Sequence, residues 1–113
     1  MANSFVNKKA DLTSNSATTL YTVPSFSTAV IKSILVSEDS GNADTITVTI
    51  TDTDDAVFSL FKTKSISANG TTELLSAPLV VAESEAIKVT AATANRLHVV
   101  LSALEIKPRE VTT

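Results

Sequence analysis

The clearest pattern in the chain is a run of alternating apolar and hydroxyl side chains at residues 44–52. Ile46, Val48 and Ile50 fall on one parity, and threonines occupy the positions between them. Successive side chains of a β-strand point to opposite faces of the sheet, so this run predicts a strand with one buried face and one hydroxyl face. We expect this strand to lie at the centre of the fold.

Other segments also have strand-like patterns, and short turns rich in Gly, Asn, Asp, Ser and Pro separate them. They cover residues 18–23, 28–37, 56–67, 71–75, 79–81, 86–92 and 96–106. The chain contains 17 Thr, 12 Val and 7 Ile, whose β-branched side chains favour sheets. No segment keeps a helical period. The sequence therefore predicts an all-β fold, an antiparallel β-sandwich with a jelly-roll-like arrangement of about eight strands.

Two turns predict hairpins. Residues 38–42 connect two predicted strands, and Gly41 is free to adopt a positive φ there. Asn69-Gly70 fits a two-residue type I′ turn, in which both central residues have a positive φ. The irregular alternation over residues 56–67 indicates a bulge or a change of face in that strand.

The patterned segments define one β-sandwich domain at residues 17–106, and a length of 113 residues suits a single domain. Residues 1–16 keep no period and are predicted to form an extended N-terminal arm. This arm is either a frayed terminus or a segment that Phe5 and Val6 anchor to a neighbouring molecule. Residues 107–113 are predicted to form a C-terminal tail.

Two predicted strands, residues 28–37 and 96–106, carry apolar side chains on both parities. The outer face of a two-layer sandwich is normally polar, so a neighbouring subunit is expected to cover the second face. The candidate residues for this interface of a homo-oligomer are Ile31, Leu35, Val100 and Leu104. The alternative is a compact barrel, or a register change within the strand that turns the extra side chains inward.

Composition argues against most kinds of chemical site. The chain has no Cys, one His and two Gly, which leaves no thiolate, no multi-His metal site and no glycine-rich phosphate loop. His98 lies in an apolar strand and is expected to be structural. We therefore predict no catalytic residue, no cofactor and no metal site, and expect that the protein is not an enzyme. The acidic residues 52–55 could hold a cation, but a solvated turn explains them more simply.

The charge and hydropathy of the chain limit its partners. The net charge is −3 and the basic residues are dispersed, which argues against nucleic acid as a partner. No stretch approaches the roughly 20 apolar residues that cross a bilayer, and the N-terminus lacks the apolar run of a secretory signal. We expect no membrane partner and synthesis in the cytoplasm of the producing cell.

A succession of strand and turn segments resembles small virion structural proteins of tailed bacteriophages. The segments are residues 20–24 (LYTVP), 29–37 (AVIKSILVS), 40–42 (SGN), 45–50 (TITVTI), 72–79 (TELLSAPL) and 104–106 (LEI). The resemblance covers roughly residues 17–106 and implies a β-sandwich displayed on the particle, often as a symmetric oligomer. Within this class we expect a capsid decoration or cement protein on the outer capsid surface. Its expected partners are the major capsid protein and further copies of itself, with a homotrimer favoured.

The two chain ends are the expected contacts with the shell in such a protein. The candidate residues are Phe5, Val6, Lys8 and Lys9 in the arm and Lys107 and Arg109 in the tail. Their basic side chains would face acidic capsid surface. Two other classes remain open, a tail, collar or fibre-attachment component and a carbohydrate- or receptor-binding module. The last would need exposed aromatic rings, and the chain has one Tyr and no Trp.

Overall fold

A computed structural model describes residues 2–107, and these residues form nine β-strands and no helix. The strands are β1 (Ala2–Asp11), β2 (Thr18–Thr22), β3 (Thr28–Glu38), β4 (Asp44–Thr51), β5 (Val57–Ile66), β6 (Thr71–Glu73), β7 (Leu79–Val81), β8 (Ala86–Ala91) and β9 (Leu97–Lys107). Within this part of the chain, no helix is long and apolar enough to cross a membrane.

The strands form two antiparallel sheets. Sheet A has the order β1-β9-β3-β6, with β7 also paired to β3, and sheet B has the order β2-β8-β4-β5. The strand pairs are arranged symmetrically about the turn between β4 and β5. From this turn outward, the pairs are β4 with β5, β3 with β6 and β7, β2 with β8, and β1 with β9. This nesting is that of one long hairpin rolled up into two layers, which is the jelly-roll arrangement. The predicted antiparallel sandwich is confirmed.

The core lies between the sheets and consists almost wholly of aliphatic side chains. In β4 the alternation predicted from sequence is present, because Ile46 and Val48 are fully buried while the threonines between them face outward. In β9 the residues Leu97, Val99 and Leu101 face the same core. The largest of the fully buried side chains are Leu12, Ile31, Ile34, Ile46, Ile66, Ile87, Leu97 and Leu101.

β3 changes register within its length. Its pairing with β9 shifts between Ile31 and Ser33. As a result Ile31 points into the core before the shift and Ile34 points into the core after it, although the two residues have opposite parity. The register change that was the alternative explanation for the two-faced pattern therefore occurs in β3. No shift divides β9, which keeps apolar side chains on both faces.

Both predicted hairpins are wrong, although the turns form. Gly41 has a φ of 83°, as predicted, but β3 lies in sheet A while β4 pairs with β5 and β8 in sheet B. The Asn69-Gly70 turn likewise connects β5 in sheet B to β6 in sheet A, and only Asn69 of the two has a positive φ, 55°. The Gly70 N–H donates to the Ser67 carbonyl at 3.0 Å. Turn residues determine where the chain reverses, but they leave open which sheet the next strand joins.

The segment assigned to an extended arm is largely part of sheet A. β1 pairs with β9 along its whole length, from Ala2 opposite Lys107 to Asp11 opposite His98. Most of its side chains are exposed, so backbone hydrogen bonds to β9 supply much of what holds it. A strand that buries few side chains has little hydrophobic alternation, which explains why the sequence pattern missed it. Of the predicted tail, residues 108–113 lie outside the described residues.

Candidate functional site

Four apolar residues form a row across the outer face of sheet A. Phe5 of β1 is paired with Leu104 of β9, Leu104 with Val30 of β3, and Val30 with Val80 of β7. Directly paired residues of antiparallel strands place their side chains on the same face, so the four side chains are neighbours. Phe5 is 86% exposed and Val80 is 63% exposed. We call these four residues the apolar row.

The same face carries a second apolar pair further along the strands. Leu35 of β3, which is 39% exposed, lies opposite Val100 of β9. The outer face of sheet B differs, because it presents mainly hydroxyl groups and a lysine stem: Thr47 lies opposite Thr90, and Thr49 lies opposite Lys88. Along their central strands the two outer faces of the sandwich therefore have different chemistry, apolar on sheet A and polar on sheet B, whereas at the edge of sheet B Val57 of β5 is exposed opposite Thr51.

A shallow groove of about 310 Å³ adjoins the apolar row. It is lined by Phe5, Val6, Asn7, Lys32, Ser102 and Ala103. The small residues Ser102 and Ala103 belong to β9, which lies between the strand of Phe5 and the strand of Lys32. Of these two, Ser102 lies on the outer face while Ala103 is buried in the core, so the short Ser102 side chain leaves a depression beside Phe5 that can accept one side chain of a partner.

The lysines on this face have no acidic partner within residues 2–107. Lys32 lines the groove, and Lys9 lies opposite Val100 on the same face. Two carboxylates found on this face among the described residues instead contact the imidazole of His98, Asp11 at 3.2 Å and Asp39 at 3.5 Å. Lys9 and Lys32 are therefore free to pair with a carboxylate of another molecule.

Glu73, the one acidic residue paired with the Leu35 position, is already engaged in hydrogen bonds. Its carboxylate accepts from the Ser33 hydroxyl, from the Ile34 N–H at 2.9 Å and from the Leu75 N–H at 3.2 Å. Burial alone would raise the pKa of Glu73, but these hydrogen bonds outweigh it and hold the pKa below its ordinary value. The carboxylate thus serves to fasten β6 and the following turn to β3.

The predicted contact residues of the arm separate between the two sides of β1. Phe5 and Lys9 lie on the outer face of sheet A, opposite Leu104 and Val100. Val6 is half-buried, and its side chain packs against the core of its own subunit, on the opposite side of β1 from Phe5. Lys8 has the same parity as Val6 but is exposed at the open edge of the sandwich.

The tail residues and the predicted subunit interface have mixed placements. Lys107 is exposed at the end of β9, and Arg109 lies outside the described residues. The prediction that Ile31 lies in a subunit interface is wrong. The register shift in β3 places its side chain in the core, where it is 0% exposed. Val100 and Leu104 are half-buried on the outer face of sheet A, and Leu35 is more exposed on the same face. The contact of these three residues with another subunit stays a prediction.

A buried carboxylate that the sequence did not single out joins two turns at one end of the sandwich. Glu38, at the end of β3, accepts from the Ser40 N–H at 2.7 Å, the Gly41 N–H at 3.1 Å and the Asn69 N–H at 3.0 Å, and from the Ser40 hydroxyl. Burial would raise its pKa, but the hydrogen bonds from Ser40, Asn69 and Gly41 lower it to about 2. The only signal for this role in the sequence is an acidic residue directly before a glycine turn.

A second buried polar contact ties the two sheets together. The Tyr21 hydroxyl of β2 donates to a Glu105 carboxylate oxygen of β9 at 2.6 Å. Burial raises the pKa of Tyr21, and the hydrogen bond and negative charge of Glu105 raise it further. The hydroxyl is therefore a fixed donor and has no access to the surface groove.

The acidic loop after β4 uses its first carboxylate within the loop itself. One Asp52 oxygen accepts from the Asp54 N–H and from the Ala56 N–H, both at 2.9 Å. Across residues 2–107, no group of three or more His, Cys, Asp or Glu side chains is placed to hold a metal ion. The Asp52 carboxylate therefore holds the turn between β4 and β5 in place.

A further apolar cleft, of about 270 Å³, lies between β5 and the connection from β6 to β7. Leu60 and Phe61 line one side, and Leu74, Leu75 and Leu79 contribute to the other. Two apolar residues at the start of β5 are exposed nearby in sequence, Val57 (62%) and Phe58 (55%). This cleft carries no charged side chain among its lining residues.

No protein-family model and no curated protein sequence matches the chain. A similar solved structure is a chain of the acidic stable capsid structure of Helicobacter pylori bacteriophage KHP30. The two chains superpose with a TM-score of 0.60 at 14% sequence identity, over 100% of this chain and 95% of that chain. At this identity the likeness is one of fold, and the fold that it supports is that of a chain in a phage capsid.

Proposed function

We propose that the protein is a structural component of a phage virion, a decoration or cement protein that binds the major capsid protein on the outer surface of the shell. The observation that carries this proposal is the match in fold to a chain of a phage capsid structure over 100% of this chain and 95% of that chain. Because the match leaves almost nothing of either chain uncovered, the neighbour is a protein of similar size. A chain of similar fold and size thus belongs to a capsid structure of one phage.

The surface chemistry supports a binding role over a catalytic one, and we propose that the protein is not an enzyme. Within residues 2–107 the outer face of sheet A carries a continuous row of apolar residues, and contiguous exposed apolar surface marks interaction sites. A cement protein stabilises a shell by adding contact area across the boundaries between capsomers. Many such contacts, each modest alone, resist expansion of the shell together.

The test is to add the purified protein to particles of its own virus that were assembled without it. We expect saturable co-sedimentation of the protein with the particles and a higher temperature of shell disruption in its presence. A shell that binds no protein, or that binds it with no gain in stability, contradicts the cement role.

Copy number separates this proposal from a role as a tail, collar or fibre-attachment component. A decoration protein covers a repeating lattice, so quantitative gels of purified particles should give a ratio to the major capsid protein of the order of one copy per capsid subunit or per capsomer. A ratio of only a few copies per particle would instead place the protein in the tail or the collar.

We further propose that the protein acts as a homo-oligomer, with a trimer favoured because decoration proteins occupy symmetric positions of the shell. On the outer face of sheet A, the pair of Leu35 and Val100, which lies outside the apolar row, is the candidate for contact with another copy. Mass measurement in solution checks this part, and a monomer at high concentration contradicts it while leaving capsid binding open.

A further inference from the structure

We infer that the outer face of sheet A is the surface that docks on the capsid, and that the outer face of sheet B points to solvent. This inference rests on the proposed function. It identifies the docking partner by its chemistry, a protein surface that offers an apolar side chain next to a carboxylate.

The first argument is the continuity of the apolar row. Phe5, Leu104, Val30 and Val80 lie in register across β1, β9, β3 and β7, which is the full width of sheet A. With strands about 4.8 Å apart, the row is roughly 14 Å long. Single exposed apolar side chains are ordinary on protein surfaces, whereas a continuous row of this length with Phe5 86% exposed is typical of a binding surface.

The second argument is the charge beside the groove. Lys32 is the only charged residue that lines it, and Lys9 lies on the same face, in a protein whose net charge is −3. A partner that inserts an apolar side chain into the groove can therefore place a carboxylate on Lys32. A second copy of this protein docked face to face about the groove would instead set Lys32 against Lys32, and facing like charges disfavour association. The charge thus favours an acidic partner over self-association through this groove.

The third argument is the contrast with sheet B. Its outer face presents Thr19, Thr49 and Lys88 in register across β2, β4 and β8. A face of hydroxyl and lysine groups is well solvated and loses little by staying in water. The exposed apolar surface is a continuous row on sheet A and a single residue, Val57, on the outer face of sheet B, so covering sheet A removes more apolar surface from water and gives the docked molecule a defined orientation.

The first experiment measures binding to particles of the virus purified without this protein. Phe5→Ser and Lys32→Glu are compared with Phe58→Ser and Lys62→Glu, which change an exposed aromatic and an exposed lysine on β5 of sheet B. We expect each sheet A variant to bind at least about tenfold more weakly than wild type. Phe5→Ser loses the burial of one Phe side chain, which corresponds to a factor of that size or more. Lys32→Glu sets a negative charge against the carboxylate of the partner, and facing like charges disfavour association. The β5 variants should bind as wild type does. Thermal melting of all four variants verifies that they fold.

The second experiment reads the orientation directly and exploits the absence of cysteine from the chain. Asn7→Cys on sheet A and Thr19→Cys on sheet B each introduce one thiol at an exposed position of an edge strand. Both variants should react with a maleimide in the free protein. After docking on the particle, the thiol at position 7 should be protected and the thiol at position 19 should stay reactive.

The possible outcomes separate this inference from the function on which it rests. Weakened binding of the Phe5 and Lys32 variants together with selective protection at position 7 supports it. If wild type binds but the Phe5 and Lys32 variants bind equally well, or the protection falls at position 19, the assignment of the face is overturned and the cement role survives. If Phe5→Ser changes the mass of the free protein but not its affinity for particles, the face joins copies of this chain and the assignment is again overturned. Failure of wild type to bind overturns both.

Discussion

The register shift in β3 leads to a testable prediction about Ile31 and Leu35. These two apolar residues lie four positions apart, and the shift places their side chains in opposite environments. Ile31 is fully buried between the sheets, whereas Leu35 is 39% exposed on the outer face of sheet A. A strand without the shift would place both side chains on one face, since their positions differ by four residues. Replacement of each by alanine therefore measures which environment the residue occupies.

We expect the loss of unfolding free energy to be at least about twice as large for Ile31→Ala as for Leu35→Ala. Ile31→Ala removes buried methyl groups and leaves a cavity, which lowers the free energy of unfolding by about 2–5 kcal/mol. Leu35→Ala exposes no core and leaves no closed cavity, so only the buried part of its transfer free energy is lost, about 1 kcal/mol. For a domain of this size, 1 kcal/mol corresponds to about 4 °C in the melting temperature. We expect decreases of roughly 8–20 °C for Ile31→Ala and about 4 °C for Leu35→Ala.

Calorimetry or circular dichroism melts at low protein concentration provide the measurement, because dilution limits any contribution from self-association to the Leu35 result. Ile34→Ala is the matched control, since Ile34 lies after the shift and is as buried as Ile31. If Leu35→Ala costs as much as Ile31→Ala, or if Ile34→Ala is as mild as Leu35→Ala, the inward and outward assignments of β3 are refuted.

Three further predictions concern polar groups and turns. The folded pKa of Glu38, about 2, lies below its ordinary value of 4.5. The stability that its ionised form contributes is therefore present above pH 4.5 and is lost as the pH falls from 4.5 to about 2. Melting temperatures measured between pH 2 and pH 7 should show this loss in wild type and a smaller loss in Glu38→Gln. Tyr21→Phe removes the hydrogen bond to Glu105 and should lower the free energy of unfolding in urea by about 1–2 kcal/mol, and an unchanged value would mean that this contact does not hold the sheets together. Gly41→Ala meets no atom within 4 Å but places a side chain at a φ of 83°, so urea unfolding should show a cost of about 1–2 kcal/mol, with a smaller cost for Gly41→Asn.

The strands were predictable wherever burial produces a regular pattern. The threonine and isoleucine alternation of β4 and the apolar run of β9 indicated their elements closely, because both strands have a face in the core. β1 was missed as a strand because it lies at a sheet edge and leaves most of its side chains in water. Its place beside β9 depends on backbone pairing with a segment about 90 residues away, and no local pattern encodes such a contact.

The candidate site was also predictable only where local sequence carries the information, and not where residues come together through the order of the strands. The excess of apolar residues in β9 was visible in the sequence and pointed to Val100 and Leu104, which do lie on the outer face. Ile31 was misplaced because the bulge in β3 reverses parity, and the resulting two-faced pattern was assigned to a subunit interface although a register change explains it equally well. The apolar row was not predictable, since it joins Phe5, Leu104, Val30 and Val80 from four strands whose order follows from the fold.

The comparison of the two sheets within this one molecule argues that the apolar row is not needed for folding. β4 and β8 occupy central positions of sheet B, as β3 and β9 do in sheet A, and each has the core on one face and solvent on the other. The central strands of sheet B meet this requirement with threonine and lysine on their outer side. The same architecture therefore tolerates a polar outer face, and threonine at Val30 and Leu104 would preserve the strand propensity of β3 and β9. Since the inner faces already supply the core, we attribute the exposed apolar residues of the row to the proposed contact with another protein.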